Sequence, residues 1–266
     1  MLRQRVITAI VLLIVLALAL FALPQWPWWL FCGGVLFAAG WEWGGLGAWA
    51  SAQRWAYGAV LAALGMLVFW AQDTRLDWAA FGLSLAFWIV FVPLWLRSKW
   101  APKGVPTVAL VGLVVLLPAA LALARLRDIS PWLLLAIAAI VWVADICAYF
   151  GGRAFGKRKL APSISPGKSW EGVWSGLLGV LVYGCVVLFF GLPTVTAHLG
   201  WFACVAMLVV LTALSVEGDL FESMLKRRAG IKDSSNLLPG HGGVLDRIDS
   251  LTSTLPLAAL IAALWS

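Results

Sequence analysis

Apolar residues in this chain run in long unbroken stretches, with neither the spaced stripe of a water-facing helix nor the strict alternation of a half-buried strand, and short polar breaks separate them. The stretches lie near 6–23, 28–48, 55–71, 78–96, 105–124, 132–150, 173–190, 201–217 and 251–265. A hydrocarbon layer about 30 Å thick takes roughly 20 helical residues to cross, and backbone groups in lipid must pair within their own segment. The pattern therefore predicts an all-α fold: a polytopic integral membrane protein with about nine transmembrane helices.

Composition excludes the soluble alternative. The 266 residues are 63% hydrophobic with a mean hydropathy of +0.96, well above an ordinary globular domain. Many of the 18 Trp residues fall near predicted span ends (Trp26, Trp28, Trp29, Trp55, Trp78, Trp100, Trp132, Trp201, Trp265), the position amphipathic rings take at the headgroup layer. With the N-terminus cytoplasmic, sixteen of the 19 Lys and Arg fall inside and only Arg75, Arg125 and Arg127 fall outside. This asymmetry supports an odd number of spans. Arg3 and Arg5 ahead of the first run resemble a signal peptide, but the run is longer than a usual signal core and is read as a retained anchor.

The four cysteines fall inside predicted helices without metal-type spacing, so neither a disulfide framework nor a zinc site is indicated. No repeat or long polar linker divides the chain. It is read as one continuous membrane domain, with residues 1–130 as scaffold helices and 131–266 as the catalytic region, including cytoplasmic loops 151–172 and 218–250. Glu42, in W-E-W, is the exception among the sparsely charged scaffold spans.

The chemistry concentrates in the second loop. Acids at 217, 219, 222, 233, 246 and 249 interleave with Lys226, Arg227, Arg228, Lys232 and Arg247 and with Gly240, Gly242 and Gly243. If the eighth span continues as a helix, Asp219, Ser223 and Lys226 share one face. A carboxylate there suits Mg²⁺, and the ammonium suits a phosphate. Asp246 and Asp249, at i and i+3, form a second acidic pair that needs a cation or base beside it, and they also favour a helix N-terminus. The glycines allow close approach of amides to an anion, with His241 inside the turn.

The loop 151–172 is basic, and Gly167-Lys168-Ser169 resembles the end of a phosphate loop, but Pro162 stands where that motif requires Gly and no strand precedes it. What remains is a positive loop with Lys157, Ser163, Ser165 and Lys168, suited to anions. Asp145, near the inner end of the sixth span, must face protein, water or a cation, because an ionised carboxylate in lipid costs on the order of 3 kcal/mol. These features predict a phosphoryl-transfer site at a membrane surface. An ion-coupled transporter would spread its charges near the midplane and often carry inverted repeats, and neither is present.

The run S-M-L-K-R-R-A-G-I-K-D-S-S-N-L-L-P-G-H-G-G-V-L-D-R-I-D, Ser223 to Asp249, resembles the signature of the phosphatidate cytidylyltransferase (CDP-diacylglycerol synthase) family. The segment D-I-C-A-Y-F-G-G-R-A-F-G-K-R-K-L-A-P-S-I-S-P-G-K-S-W-E-G upstream resembles it as well. The resemblance implies cytidylyl transfer from CTP to phosphatidic acid, giving CDP-diacylglycerol and pyrophosphate. It also implies a requirement for Mg²⁺, with one or two cations, and a homodimer. Asp219, Asp246 and Asp249 are the implied metal ligands. Lys226 is expected to join them as catalytic, and Ser223, Arg227, His241, Gly242, Gly243 and Arg247 are expected to bind substrate phosphate together with Lys157, Ser163, Ser165, Lys168 and Asp145. Membrane lipids are expected partners and nucleic acid is not. The expected location is a bacterial inner (cytoplasmic) membrane, with the active site facing the cytoplasm. A relative acting on a prenyl-type lipid phosphate would carry the same headgroup chemistry.

Overall fold

The computed structural model describes residues 2–264. Trp265, expected at the end of the last span, lies outside the described residues, as do the side chains of Arg3 and Arg5 used in the orientation argument. Each of the nine apolar runs falls on a helix: α1 Leu2–Ala22, α2 Gln25–Leu46, α3 Ser51–Ala71, α4 Thr74–Ser98, α5 Val105–Ile129, α6 Pro131–Phe155, α7 Trp170–Gly191, α9 Trp201–Arg228 and α10 Leu245–Ala262. A short helix, α8 Pro193–Leu199, links α7 to α9. Six of these helices, α3 to α7 and α9, are long and apolar enough to cross a bilayer. The chain is thus an all-α integral membrane protein.

Two expectations about the loops change. The segment 151–172 is not open loop: α6 continues to Phe155, and a two-stranded antiparallel hairpin, β1 Lys159–Ala161 and β2 Ser165–Ser169, fills most of the rest. Likewise α9 runs 28 residues, about 42 Å, so the charged residues from Glu217 to Lys226 ride on a helix and only 229–244 is irregular. The Trp belt is also narrower than expected. Trp26, Trp55, Trp78, Trp100, Trp132 and Trp201 are exposed, but Trp28 and Trp29 are buried among neighbouring helices.

Helices in lipid gain little from burying apolar surface, so close backbone approach and packing must hold them together. The α6–α7 pair shows this. A Cβ on Gly172 would lie 2.8 Å from the Ala148 carbonyl, and one on Gly176 would lie 2.9 Å from that of Ala144. Hydrogen at these positions lets α7 lie directly against α6, one turn from Asp145. On the other side, Phe221 of α9 is buried in an aromatic cluster with Trp88 (5.5 Å between centroids), Phe87 (5.9 Å), Trp95 (6.1 Å) and Trp43 (6.4 Å). That contact locks α9 to α2 and α4. Because Asp219 and Ser223 stand two positions either side of Phe221, about 200° around the helix, the anchored face turns them the other way.

On the opposite side from the charged loops, Arg125 Nε pairs with Asp77 Oδ2 at 2.7 Å, and Arg127 Nε donates to the Leu20 carbonyl at 3.2 Å. Two of the three basic residues at that end are held by protein partners, while Arg75 is exposed.

Candidate active site at the hairpin and charged helix ends

A cavity of about 560 Å³ opens between α6, the hairpin, α7 and α9. Its polar wall carries Asp145, Arg153, Ser165, Lys168, Ser169 and Asp219. Its inner wall is apolar or small, with Ala144, Ala148, Val173, Gly176 and Val216. One end therefore suits charged groups and the other a hydrocarbon neighbour.

Each element contributes for a local reason. Ser169 ends β2 and caps α7, its Oγ accepting from the Gly172 amide at 3.2 Å. Glu171, in the first turn of α7, accepts from the backbone amides of Lys157 (3.1 Å) and Arg158 (3.1 Å). The hairpin base is thereby tied to the helix, and the hairpin presents Ser165 and Lys168 to the cavity. Lys168 Nζ reaches Asp219 Oδ2 at 2.5 Å, and Ser223 Oγ donates to Asp219 Oδ1 at 3.2 Å. Asp145 lies within electrostatic reach of Asp219, Lys168 and Arg247.

Behind this wall is a second carboxylate layer. Lys226 Nζ bridges Glu222 Oε2 (3.2 Å) and Asp246 Oδ1 (2.6 Å). The other oxygen of Asp246 accepts from the Gly243 amide (2.8 Å) and the Ser234 amide (2.9 Å) and lies 3.0 Å from Ser234 Oγ. Burial pushes the Asp246 carboxyl up, but Lys226 and the Gly243 and Ser234 amides outweigh it and hold the group below the usual carboxylate range. Asp249 accepts from the Ser250 amide at 2.7 Å, and its carboxyl lies within electrostatic reach of that of Glu222. Neighbouring carboxyls oppose each other's ionisation unless positive charge lies beside them, and Lys226 supplies it to Glu222.

The glycine turn is built as a tight loop. Leu238 and Gly242 pair across it, with the Leu238 amide donating to the Gly242 carbonyl and the His241 amide to the Leu238 carbonyl, both at 2.8 Å. Gly240 and Gly242 take φ of +77° and +81°, a region side chains disfavour. Thr8 of α1 donates to the Pro239 carbonyl at 2.9 Å.

The structure thus gathers Asp145, Ser165, Lys168 and Asp219 at one cavity, with Ser223 bonded to Asp219 and with Lys226, Asp246 and Asp249 behind it. It does not bring all the expected residues there. Ser163 is exposed at the hairpin tip, Lys157 contributes its backbone amide while exposed, and Arg227 is exposed with Nε 3.4 Å from the Ile164 carbonyl. Arg247 is exposed, and Gly242 and Gly243 shape the turn instead of lining the cavity. His241 carries a buried Nδ1 without a partner.

Sequence reasoning missed several residues. Arg153, Tyr149 and Ser169 line the cavity, and Glu171 braces the hairpin. Glu42 of α2 is fully buried, and its carboxylate accepts from Ser235 Oγ (2.6 Å), the Leu245 amide (2.6 Å), the Val244 amide (2.9 Å) and Ser234 Oγ (3.1 Å). Its signal was a lone acid in an apolar span.

Among the described residues no three His, Cys, Asp or Glu side chains converge as a ready-made metal cage. The donor set still fits Mg²⁺, which characteristically takes one or two carboxylates, keeps waters and completes its shell with substrate phosphate. Asp145 and Asp219 share the cavity wall, and among the described residues Glu222 Oε1 is buried without a hydrogen-bond partner.

Comparison with known proteins agrees along the whole chain. The model of the cytidylyltransferase family matches residues 3–265. A phosphatidate cytidylyltransferase of Pseudomonas aeruginosa is 42% identical, covering 100% of this chain and 98% of its own length. One from Haemophilus influenzae is 38% identical, with 96% of each chain covered. One from Brucella suis is 39% identical over 69% of this chain and 67% of its own.

Proposed function

Because the chain belongs to the cytidylyltransferase family, we propose that its cavity is where a cytidylyl group passes from CTP to phosphatidic acid, giving CDP-diacylglycerol and pyrophosphate. The observation that carries this placement is the 2.5 Å Lys168–Asp219 contact on the wall of a cavity that is charged at one end and apolar at the other.

A phosphate oxygen of phosphatidic acid forms a new bond to the α-phosphorus of CTP while the bond to the bridging oxygen of pyrophosphate breaks. No strong base is required, since a phosphomonoester has its second pKa near about 6 and is largely ionised at neutral pH. The obstacle is repulsion between anions, together with charge building on the leaving group. Catalysis is accordingly positional and electrostatic. Lys168 and Arg153 neutralise phosphate oxygens at the polar end, Ser165 orients them, and the apolar inner wall admits the glycerol end of the lipid from the bilayer. Lys226, steadied by Asp246 and Glu222, adds positive charge behind Asp219.

Asp219 and Asp145, with Asp249 behind them, would hold Mg²⁺, which when bound offsets triphosphate charge and stabilises the departing pyrophosphate. Asp246, its oxygens engaged by Lys226, Ser234 and Gly243, contributes by placing Lys226 and the turn.

The basic excess on one side supports a cytoplasmic N-terminus, nine crossings and a cytoplasm-facing site in a bacterial inner membrane. The broad outward apolar surface of α1 leaves room for a homodimer contact within the bilayer. Purified protein in detergent tests the reading: pyrophosphate should appear only when CTP, phosphatidic acid and Mg²⁺ are all present.

A further inference from the structure

The N-terminal half has the outward character of a scaffold, yet one of its side chains organises the turn that leads into α10. Glu42 sits in the middle of an apolar sequence, is 0% exposed, and faces no Lys or Arg in its hydrogen-bonding shell. A buried carboxylate in that position is tolerated because four donors converge on its two oxygens: two hydroxyls and the first free amides of α10. The positive end of α10 supplies the balancing charge.

The partners of Glu42 lead directly to the charged layer. Ser234 Oγ lies within hydrogen-bonding distance of both Glu42 Oε2 (3.1 Å) and Asp246 Oδ2 (3.0 Å), and Asp246 holds Lys226 at 2.6 Å. A hydroxyl has one proton to give. The Asp246 oxygen already receives the Gly243 and Ser234 amides, so the Ser234 proton is available to Glu42. A side chain at Gly243 would collide with both Ser234 Oγ and Glu42 Oε1, which shows how closely the acid, the serine and the turn are fitted. Trp43, the next residue, packs on Phe221 of α9, so α2 meets the site from two directions.

We infer that Glu42 is a positioning residue for cytidylyl transfer, holding the Ser234–Leu245 turn so that Asp246 keeps Lys226 in register behind Asp219. The inference rests on the proposed reaction. The N-terminal helices then set the rate of the reaction as well as supporting the fold.

Glu42→Gln tests this, because it keeps the shape while replacing an acceptor with a donor that opposes two of the four donors. Full-length protein, collected as a monodisperse folded species and counted by CTP-binding stoichiometry, should show kcat lowered about 10- to 100-fold with KM for phosphatidic acid unchanged. A purely structural role predicts fewer folded molecules, each binding CTP and turning over at the wild-type kcat, and that result overturns the inference. Should Glu42→Gln fail to fold, Ser235→Ala decides, since it removes one donor to Glu42 at a half-buried site. A kcat loss of about 10-fold supports the inference, and an unchanged kcat overturns it. Wild-type protein that releases no pyrophosphate refutes the reaction itself, an outcome distinct from either result with the variants.

Discussion

Lys168 Nζ of the hairpin and Asp219 Oδ2 of α9 stand 2.5 Å apart at the polar end of the cavity. A longer contact, Arg227 Nε to the Ile164 carbonyl at 3.4 Å, also joins the two charged segments. Lys168 is brought there by a hairpin tied to α7, and Asp219 by a helix locked through Phe221, so the pair reports the position of both. Bringing in substrate phosphate gives Lys168 a second anion to bind and leaves Asp219 available to a cation.

Lys168→Ala should therefore lower kcat/KM for CTP by about 100-fold, the scale of losing one charged donor in a preorganised site. Initial rates across CTP concentrations measure this. A change below twofold would remove Lys168 from phosphate binding.

The hairpin should depend on the half-buried Glu171. Replacing Glu171 with Ala leaves the Lys157 and Arg158 amides without their shared acceptor. Hydrogen exchange over 157–169 should quicken and KM for CTP should rise, while exchange in α9 stays unchanged. Protection unaltered in the hairpin would contradict the brace.

Much of this site was legible from residue type and spacing. Asp145 stood out because an acid near a span end needs a partner, and Asp219 and Ser223 because their spacing places them on one helix face once α9 is continued past the apolar run; Lys226, expected on that face, turns instead to Glu222 and Asp246. The hairpin was not legible: its strands are 3 and 5 residues long, contain Pro166 and Gly167, and lack alternation. Glu42 was visible as an anomaly without a role, since its amide partner Leu245 lies 203 positions away and no local spacing encodes such a contact. Ser163, Lys157 and Arg227 looked equivalent to Lys168 by charge or polarity alone; only the turn geometry separates those facing the cavity from those facing away.

Close packing of α6 and α7 gives a further expectation. Gly176→Ala places a methyl group 2.9 Å from the Ala144 carbonyl, which belongs to backbone and cannot swing aside. The helices must separate beside Asp145, with a loss of about 1–3 kcal/mol. A lowered melting temperature in detergent with reduced kcat is expected, and wild-type values for both would contradict the packing described.

Gly243→Ala should be more severe, because the new methyl meets Ser234 Oγ and Glu42 Oε1 at once. Overpacking here displaces buried hydrogen-bonded groups as well as volume, so the loss should reach about 3 kcal/mol. Equilibrium unfolding of the variant against wild type measures it, and a difference under about 0.5 kcal/mol would show that the turn tolerates a side chain.

The central claim is that cytidylyl transfer takes place on the Asp219 side of this cavity, and Asp219→Asn tests it most directly. Pyrophosphate release by folded protein, supplied with CTP, phosphatidic acid and graded Mg²⁺, should fall by at least about 100-fold and should not recover at saturating Mg²⁺. Release at the wild-type rate with the wild-type Mg²⁺ dependence would place the reaction elsewhere in the molecule.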